Sequence, residues 1–240
     1  MRYAILADIH GNLEALQTVL EDTRAQGCTH YVCLGDVVGY GANPKQCLDT
    51  IRSMNMPVVK GNHDEYVSVD DDPEGFNDAA AEAVTWTRAQ LSEEDRKWLR
   101  DLKYFRLVAN FSIVHATLDA PQRWGYVFEK LEAAASFTYQ NTQVCFFGHT
   151  HVPVAFVRDT SVRGGTYSKF RVEPGKKYFV NVGSSGQPRD GNPKAAYVIY
   201  DLAQQSVELR RLGYDIPTAQ RKIREAGLPE RLAARLALGR

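Results

Sequence analysis

Short apolar segments alternate with segments of helical periodicity in the first quarter of the chain. Apolar runs of a few residues predict buried strands, whereas Leu13, Leu16 and Val19 share one face of a helix. The predicted elements, in order, are a strand at 3–7, a helix that Gly27 ends, a strand at 31–34, a helix at 44–54 and a strand at 57–60. This alternation predicts an α/β fold with a parallel sheet and helical crossovers.

The pattern changes to short strands after Tyr104. Strands are predicted at 104–109, 111–115, 143–147, 152–157, 178–182, 195–201 and 205–212, and helices at 77–91, 93–101 and 129–140. Polar segments predict an acidic loop over 65–75 and a long hairpin arm over 158–177. Two short amphipathic helices at about 215–238, separated by Gly227, are expected to dock on the rest. Without a repeat or a linker, residues 1–240 are expected to form one domain.

The composition excludes several classes of protein. The 29 Lys and Arg residues balance the 29 Asp and Glu residues, so the chain has no overall positive field for nucleic-acid phosphates and no stable nucleic-acid complex is expected. No apolar run approaches the roughly 20 residues of a membrane span, and the N-terminal run is too short for a signal peptide. We therefore expect a cytoplasmic location without a membrane partner. The four cysteines form no CxxC pair and are expected to be buried thiols.

Five of the six histidines lie beside polar residues just after predicted strands. They are His10, His63, His115, His149 and His151, whereas His30 opens a strand and is expected to be structural. Histidine is the commonest metal ligand among side chains, and together with carboxylates and carboxamides it suits borderline divalent ions. Residues two apart in an extended segment point the same way. Asp8 and His10 can therefore converge on one ion.

Asp36 and Asn62 follow the next two predicted strands. The carboxyl ends of strands in an open sheet form one crevice, so these side chains can meet the histidines there. Two Asp, one Asn and four or five His are too many for one tetrahedral zinc and fit two metals that share a ligand. Two ions roughly 3.5–4 Å apart stabilise both oxygens of an in-line displacement, and a water between them becomes a hydroxide near neutral pH.

These motifs resemble, in order, the motif set of the calcineurin-like metallophosphoesterases. They are Asp8-x-His10, Gly35-Asp36, Gly61-Asn62-His63-Asp64, His115 and Gly148-His149-x-His151. The segments Asp8 to Asn12 and Gly35 to Gly41 are similar to the compact prokaryotic branch of YfcE-type phosphodiesterases. The resemblance implies an α/β (α+β) fold of two packed mixed β-sheets, a β-sandwich flanked by helices in four α/β/β/α layers.

The resemblance also implies a role for each site residue. Asp8, His10 and His151 would hold the first divalent metal, Asp36 would bridge, and Asn62, His115 and His149 would hold the second. The first candidate for both ions is Mn²⁺, and Fe, Zn, Ni or Mg are the alternatives. His63 would bind no metal; it would protonate the leaving oxygen or stabilise the charge of the transition state. Asp64 is a candidate to orient His63, although adjacent residues seldom face each other.

Two further residues are predicted to contact the substrate phosphate. Asn12 lies at the start of the first helix, and helix N-termini attract anions. In the protein-phosphatase branch the GD motif continues as GDxVDRG, but here Gly39 and Tyr40 stand where its Asp and Arg would be. This departure argues against phosphoprotein phosphatase activity. Arg189 is the candidate replacement for the missing arginine, and the alternative is a solvated loop residue.

The expected activity is hydrolysis of a phosphoester P–O bond by a hydroxide that bridges two divalent metals, with a phosphodiester favoured. A dinucleoside polyphosphate (Ap4A-type) hydrolase and a phosphomonoesterase are the alternatives. The non-enzyme alternative is a catalytically silent interaction scaffold. That alternative disagrees with the sequence, because degenerate members are expected to lose ligands or the catalytic histidine. The expected partner is a small phosphoester or nucleotide, and homo-oligomer formation stays open.

Overall fold

Two mixed β-sheets pack face to face, and helices cover both outer faces. The computed structural model describes residues 1–73 and 75–240. The strands are β1 (Arg2–Leu6), β2 (His30–Cys33), β3 (Phe105–Val108), β4 (Phe111–Val114), β5 (Val144–Phe147), β6 (Val154–Arg158), β7 (Val162–Gly165), β8 (Lys169–Arg171), β9 (Lys177–Asn181), β10 (Ala195–Asp201) and β11 (Ser206–Leu212). The helices are α1 (Leu13–Ala25), α2 (Pro44–Ser53), α3 (Asn62–Ser68), α4 (Asp78–Gln90), α5 (Glu93–Arg100), α6 (Lys130–Tyr139), α7 (Ile216–Glu225) and α8 (Glu230–Leu238).

The sheet order brings the predicted site residues to common edges. The first sheet has the order β2-β1-β10-β11-β8, and the second has the order β3-β4-β5-β9-β6-β7. Strands β1 and β2 are parallel, and so are β4, β5 and β9. Parallel neighbours end at the same edge of a sheet, so the segments after β1 and β2, and those after β4 and β5, are neighbours.

Alternate side chains of β1 enter two different cores, because successive residues of a strand face opposite sides. Tyr3 and Ile5 pack between the sheets, against residues such as Phe111 and Phe146. Ala4 and Leu6 face the other way and pack under α1 and α2. On the far side, α6 packs on the outer face of the second sheet. The order helix, sheet, sheet, helix confirms the four-layer fold expected from the sequence.

Two predicted elements are wrong in part. The predicted strand at 57–60 is reduced to single bridges, from Val58 to Cys33 and from Val59 to Lys103, because its two residues pair with different neighbours. The predicted loop at 65–75 overlaps the end of α3, which extends from Asn62 to Ser68. The helix provides hydrogen bonds for backbone groups next to the site. Position 74 of that loop lies outside the described residues.

The predicted hairpin arm at 158–177 is divided between the two sheets. Strand β7 pairs with β6 at the edge of the second sheet, but β8 pairs with β11 at the edge of the first. Phe170 and the buried Val172 join the core between the sheets, and their burial draws this part of the segment onto the fold. The segment therefore ties the sheets together and is not a free arm.

The C-terminal helices α7 and α8 pack against α4, α1 and the segment after β2. Ile223, Leu232 and Leu236 pack in one cluster with Ala80 of α4 and with Tyr40. An ion pair of 2.5 Å joins Lys222 of α7 to Glu14 of α1. None of the helices in the described part of the chain combines the length and apolarity that crossing a bilayer requires.

Because α8 shares its core with α4 and Tyr40, we expect the whole chain to unfold in one transition. Leu232 is buried, and its replacement by Ala should lower the free energy of unfolding by about 2–5 kcal/mol. Denaturant unfolding followed by circular dichroism and by tryptophan fluorescence should give coincident shifts. Leu238→Ala is the matched control, since that side chain is 56% exposed on the same helix. A separate early transition that Leu232→Ala alone displaces would contradict a single domain.

Candidate metal centre

The predicted ligands lie at strand ends in a strained backbone conformation. Five of them have φ between 50° and 66°: Asp8, His10, Asp36, His149 and His151. The left-handed region costs a non-glycine residue roughly 1–2 kcal/mol, and such residues persist where the surroundings fix them. The amide of Asp8 donates to the carbonyl of Gly35 at 3.0 Å, and that of His10 donates to the carbonyl of Asp36 at 2.9 Å. Backbone hydrogen bonds between the segments after β1 and β2 therefore continue the pairing of these strands, and they hold the strained conformations of Asp8 and His10.

The ligand atoms fall into two groups that share Asp36. One group is Asp8, His10, Asp36 and His151, and the other is Asp36, His115 and His149; within each group the atoms lie within 4.8 Å of one another. Oδ2 of Asp36 is 3.5 Å from Nε2 of His10 and 3.4 Å from Nε2 of His115. Oδ1 of Asn62 is 3.2 Å from the same His115 nitrogen. The grouping matches the two predicted ligand sets, and their metal-binding role stays a prediction that this geometry supports.

Hydrogen bonds to backbone carbonyls determine which ring nitrogen of each histidine remains available as a ligand atom. Three rings use Nδ1 for a carbonyl: His10 with Val38 at 3.2 Å, His115 with Leu34 at 2.7 Å and His151 with Gln187 at 2.6 Å. His149 uses Nε2 for the carbonyl of Trp124 at 2.9 Å. A ring nitrogen that donates to a carbonyl leaves a lone pair on the other one. The donor set of imidazole nitrogens and carboxylate oxygens fits borderline divalent ions.

The pKa values of the Asp8 and Asp36 carboxyl groups differ because their neighbouring groups differ. Burial opposes the ionisation of Asp36, but His115 and then His63 hold the pKa of this carboxyl well below its usual range. Burial also opposes a charge on His115, yet the carboxylate of Asp36 raises the pKa of His115 to about 9. Burial raises the pKa of Asp8 to about 7. These pKa shifts favour the ionised form of Asp36, and a cation at the centre would favour the charged form of Asp8 as well.

Asp64 holds the backbone under Asp36. Its carboxylate accepts backbone N–H bonds from Asp36 at 2.7 Å, Val37 at 2.9 Å and Gly61 at 3.1 Å. The structure gives no support to the alternative role, orienting His63, because among the described residues Nδ1 of His63 has no hydrogen-bond partner. Gly61 completes the arrangement, since a Cβ there would lie 2.1 Å from Oδ1 of Asp36.

Aromatic rings position His63. Its ring centroid is 4.3 Å from that of Tyr40, 4.7 Å from that of Phe76 and 4.8 Å from that of His10. Its backbone N–H donates to Oδ1 of Asp36 at 2.8 Å. Burial lowers the pKa of His63 to about 4, so the imidazole of the metal-free chain is neutral near pH 7.

Gly39 gives the His63 ring its space. The glycine has φ of 88°, and a Cβ on it would lie 2.4 Å from Nδ1 of His63. In residues 1–73 and 75–240, that nitrogen is buried without a hydrogen-bond partner. The glycine that stands where the protein-phosphatase motif has Asp therefore has two effects: no carboxylate is available at this position, and the ring of His63 has room.

A cleft of about 130 Å³ opens over the two ligand groups. Its walls include Tyr40, His63, Tyr126, Arg189 and Arg235. Arg189 therefore lies in the wall of the cleft, and its Nη2 donates to Oε1 of Gln187 at 2.8 Å. Sequence reasoning missed Arg235, because the periodicity of α8 indicated only a docking face and no motif marks this residue.

Asn12 and His30 serve local structure. Asn12 caps α1: its Oδ1 accepts from the amide of Ala15 at 3.1 Å, and its Nδ2 donates to the carbonyl of Gly186 at 2.7 Å. Since both ends of this amide have internal partners, the geometry gives no support to its predicted phosphate contact. His30 lies in β2 beside Tyr3, with ring centroids 4.9 Å apart. The four cysteines are buried free thiols, as expected.

Comparisons with known proteins agree with this arrangement. Residues 1–205 match the family model for the calcineurin-like phosphoesterase superfamily domain. The protein MJ0912 of Methanocaldococcus jannaschii is 38% identical over 244 aligned residues, which cover 99% of this chain and 98% of that protein. The crystal structure of a metallophosphoesterase from Sphaerobacter thermophilus has 36% identity and a TM-score of 0.87, and the match covers 100% of this chain and 99% of that one. Phosphodiesterase YfcE of Escherichia coli is 26% identical over 201 residues, 84% of this chain and 88% of that protein.

Replacing Asp64 by Asn should destabilise the fold although no predicted ligand is changed. The carboxamide cannot accept all of the backbone bonds, and each buried N–H left without a partner costs about 1–3 kcal/mol. We expect a loss of about 2–4 kcal/mol in urea unfolding. The control is Asp49→Asn, which removes one exposed ion pair with Lys45 and should change stability by less than about 0.5 kcal/mol. Equal effects of the two substitutions would contradict the role assigned to Asp64.

Proposed function

Because the chain belongs to the calcineurin-like phosphoesterase superfamily, we propose that it is a metal-dependent phosphoesterase, with phosphodiester hydrolysis as its leading activity. The observation that carries the proposal is the pair of buried ligand groups that share Asp36. The name of the related phosphodiesterase YfcE supports the diester preference. A phosphomonoesterase and a dinucleoside polyphosphate hydrolase are the alternatives within the same chemistry.

The proposed metal centre takes two divalent ions. Asp8, His10 and His151 would hold the first, Asn62, His115 and His149 would hold the second, and Asp36 would contact both. Such ions supply Lewis acidity toward the phosphoryl oxygens and a hydroxide nucleophile from water near neutral pH. Mn²⁺ is the proposed native metal, since mixed imidazole and carboxylate donors accept it, and Fe, Zn, Ni or Mg are the alternatives.

His63 is the proposed catalytic residue. It lines the cleft beside Asp36 but belongs to neither ligand group. Because burial lowers the pKa of His63 to about 4, its neutral ring is suited to donating one hydrogen bond to the oxygen on which charge develops. This favours stabilisation of the transition-state charge over full proton transfer. The packed rings around it fix the direction of that bond.

Arg189 is the proposed clamp for a phosphate oxygen. It follows β9, and its backbone N–H donates to the carbonyl of His151 at 3.3 Å, which ties its position to the first ligand group. Its Nε is buried without a partner in the described part of the chain. A guanidinium with free donors beside the ligand groups is suited to the planar recognition of a phosphate.

A silent scaffold is the competing function of another class. The strained, buried ligand residues argue against it, because left-handed Asp and His conformations cost free energy that a scaffold has no reason to retain. A cytoplasmic location is part of the proposal, and so is a small phosphoester or nucleotide as the partner.

A substrate panel tests the proposed function. Purified protein treated with a chelator should lose all turnover, and added Mn²⁺ should restore it. With Mn²⁺ we expect bis-p-nitrophenyl phosphate to be hydrolysed with a higher kcat/KM than p-nitrophenyl phosphate, and cyclic nucleotides and Ap4A complete the panel. The proposal fails if metal-replete protein hydrolyses none of these esters.

Replacing His63 by Ala separates the proposed catalytic residue from the proposed ligands. The variant should bind the same amount of Mn²⁺ as the unchanged chain, but kcat should fall by about 10²–10⁴-fold. His30→Ala is the control, because this histidine lies outside the cleft, and it should leave kcat unchanged. If His63→Ala kept full turnover, the residue would have no part in the reaction.

A further inference from the structure

The C-terminal helix α8 contributes an arginine to the cleft. Arg235 lines the same cavity as Asp36, His63 and Arg189, although α8 lies beyond residues 1–205, which match the family model. The apolar face of α8 fixes its position, since Leu232 and Leu236 are buried against Tyr40 and α4. A rigidly docked helix therefore presents a cation to the proposed active site.

The two arginines share one aromatic ring. The guanidinium carbon of Arg189 lies 5.6 Å from the ring centroid of Tyr40, and that of Arg235 lies 6.0 Å from the same centroid. Among the described residues, no Asp or Glu side chain lies within ion-pair distance of either guanidinium. Nε of Arg235 donates to the C-terminal oxygen of Arg240, and Nη2 of Arg189 donates to the side chain of Gln187.

The guanidinium groups of Arg189 and Arg235 are neighbouring positive charges, and like charges repel each other. Burial, and next the like charge of Arg189, lower the pKa of Arg235 to about 10, so Arg235 still carries its charge near pH 7. Contact with the face of Tyr40 stabilises each cation. An anion that contacts both guanidinium groups would remove the repulsion, and a phosphate group has the geometry to do so.

Arg189 lies nearer to the ligand groups, and Arg235 lies farther out in the cleft. The backbone N–H of Arg189 donates to the carbonyl of the predicted ligand His151 at 3.3 Å, whereas Arg235 reaches the cleft from α8, over the ring of Tyr40. One phosphate at the ligand groups can reach Arg189. Arg235 is then available to the group that follows it in the substrate.

We propose that Arg189 and Arg235 form a subsite for a second phosphate of the substrate, joined to the phosphate that is cleaved. The inference rests on the proposed function and narrows its substrate class to phosphoesters that carry a diphosphate or longer polyphosphate chain. Arg235 is a specificity-determining residue in this account, and Arg189 serves both phosphates.

A matched pair of ligands tests the subsite. Isothermal titration calorimetry on the Mn²⁺-loaded chain compares adenosine 5′-monophosphate with adenosine 5′-(α,β-methylene)diphosphate, which differ by one phosphate-like group. That group should strengthen binding by about 10- to 100-fold in the unchanged chain. Arg235→Gln should remove most of this gain, and Arg235→Lys should retain part of it, since the charge remains but the planar fork is lost.

Arg221→Gln is the control, because it also removes one positive charge from the C-terminal helices but from an exposed position outside the cleft. It should leave the gain unchanged. No gain in the unchanged chain, or an equal gain in Arg235→Gln, would overturn the subsite. Absence of hydrolysis of every ester in the substrate panel would instead overturn the proposed function, and the calorimetric comparison would still report on the subsite.

Discussion

The carboxylate of Asp36 is shared by two groups of ligand atoms, and the local structure is arranged to keep it ionised and fixed. It is buried, it accepts the amide N–H of His63 at 2.8 Å, and its own amide is held by Asp64 at 2.7 Å. A buried carboxylate is costly unless cations or donors surround it. The histidines around Asp36 and the proposed ions meet this requirement together. Both ligand groups and the proposed chemistry therefore depend on one side chain.

The sandwich supplies the rigidity that such a centre needs. Strands β1 and β2 of one sheet and β4 and β5 of the other end next to one another, and both faces of each strand are packed. Well-packed strands can hold left-handed turns at Asp8, Asp36 and His149, whose strain the surrounding backbone bonds overcome. Helix α8 then closes one wall of the cleft and brings Arg235 to it. In the proposed function, the metal ligands thus come from the segments that follow the strands, whereas Arg235, which is proposed to select the substrate, comes from α8.

Local patterns predicted most of the side chains that the structure brings together, because most of the predicted ligands follow a short apolar strand and parallel strands share an edge. The functions of Asp64 and Arg235 were not predictable in the same way. Asp64 acts on backbone amides that reach it only after β2 and α3 have packed, and Arg235 reaches the cleft through the docking of a distant helix. The prediction of a hairpin arm over 158–177 was wrong, because it rested on the many polar residues of this segment. Phe170 and Val172 of the same segment enter the core between the sheets.

The central claim is that two divalent ions share Asp36, and the most direct measurement is the stoichiometry of Mn²⁺ binding at equilibrium. We expect about two ions per unchanged chain, loss of both high-affinity sites in Asp36→Ala, and loss of one in His149→Ala. Thermal unfolding without metal should show that each variant is folded. One ion per unchanged chain, or two ions retained by Asp36→Ala, would contradict the shared centre.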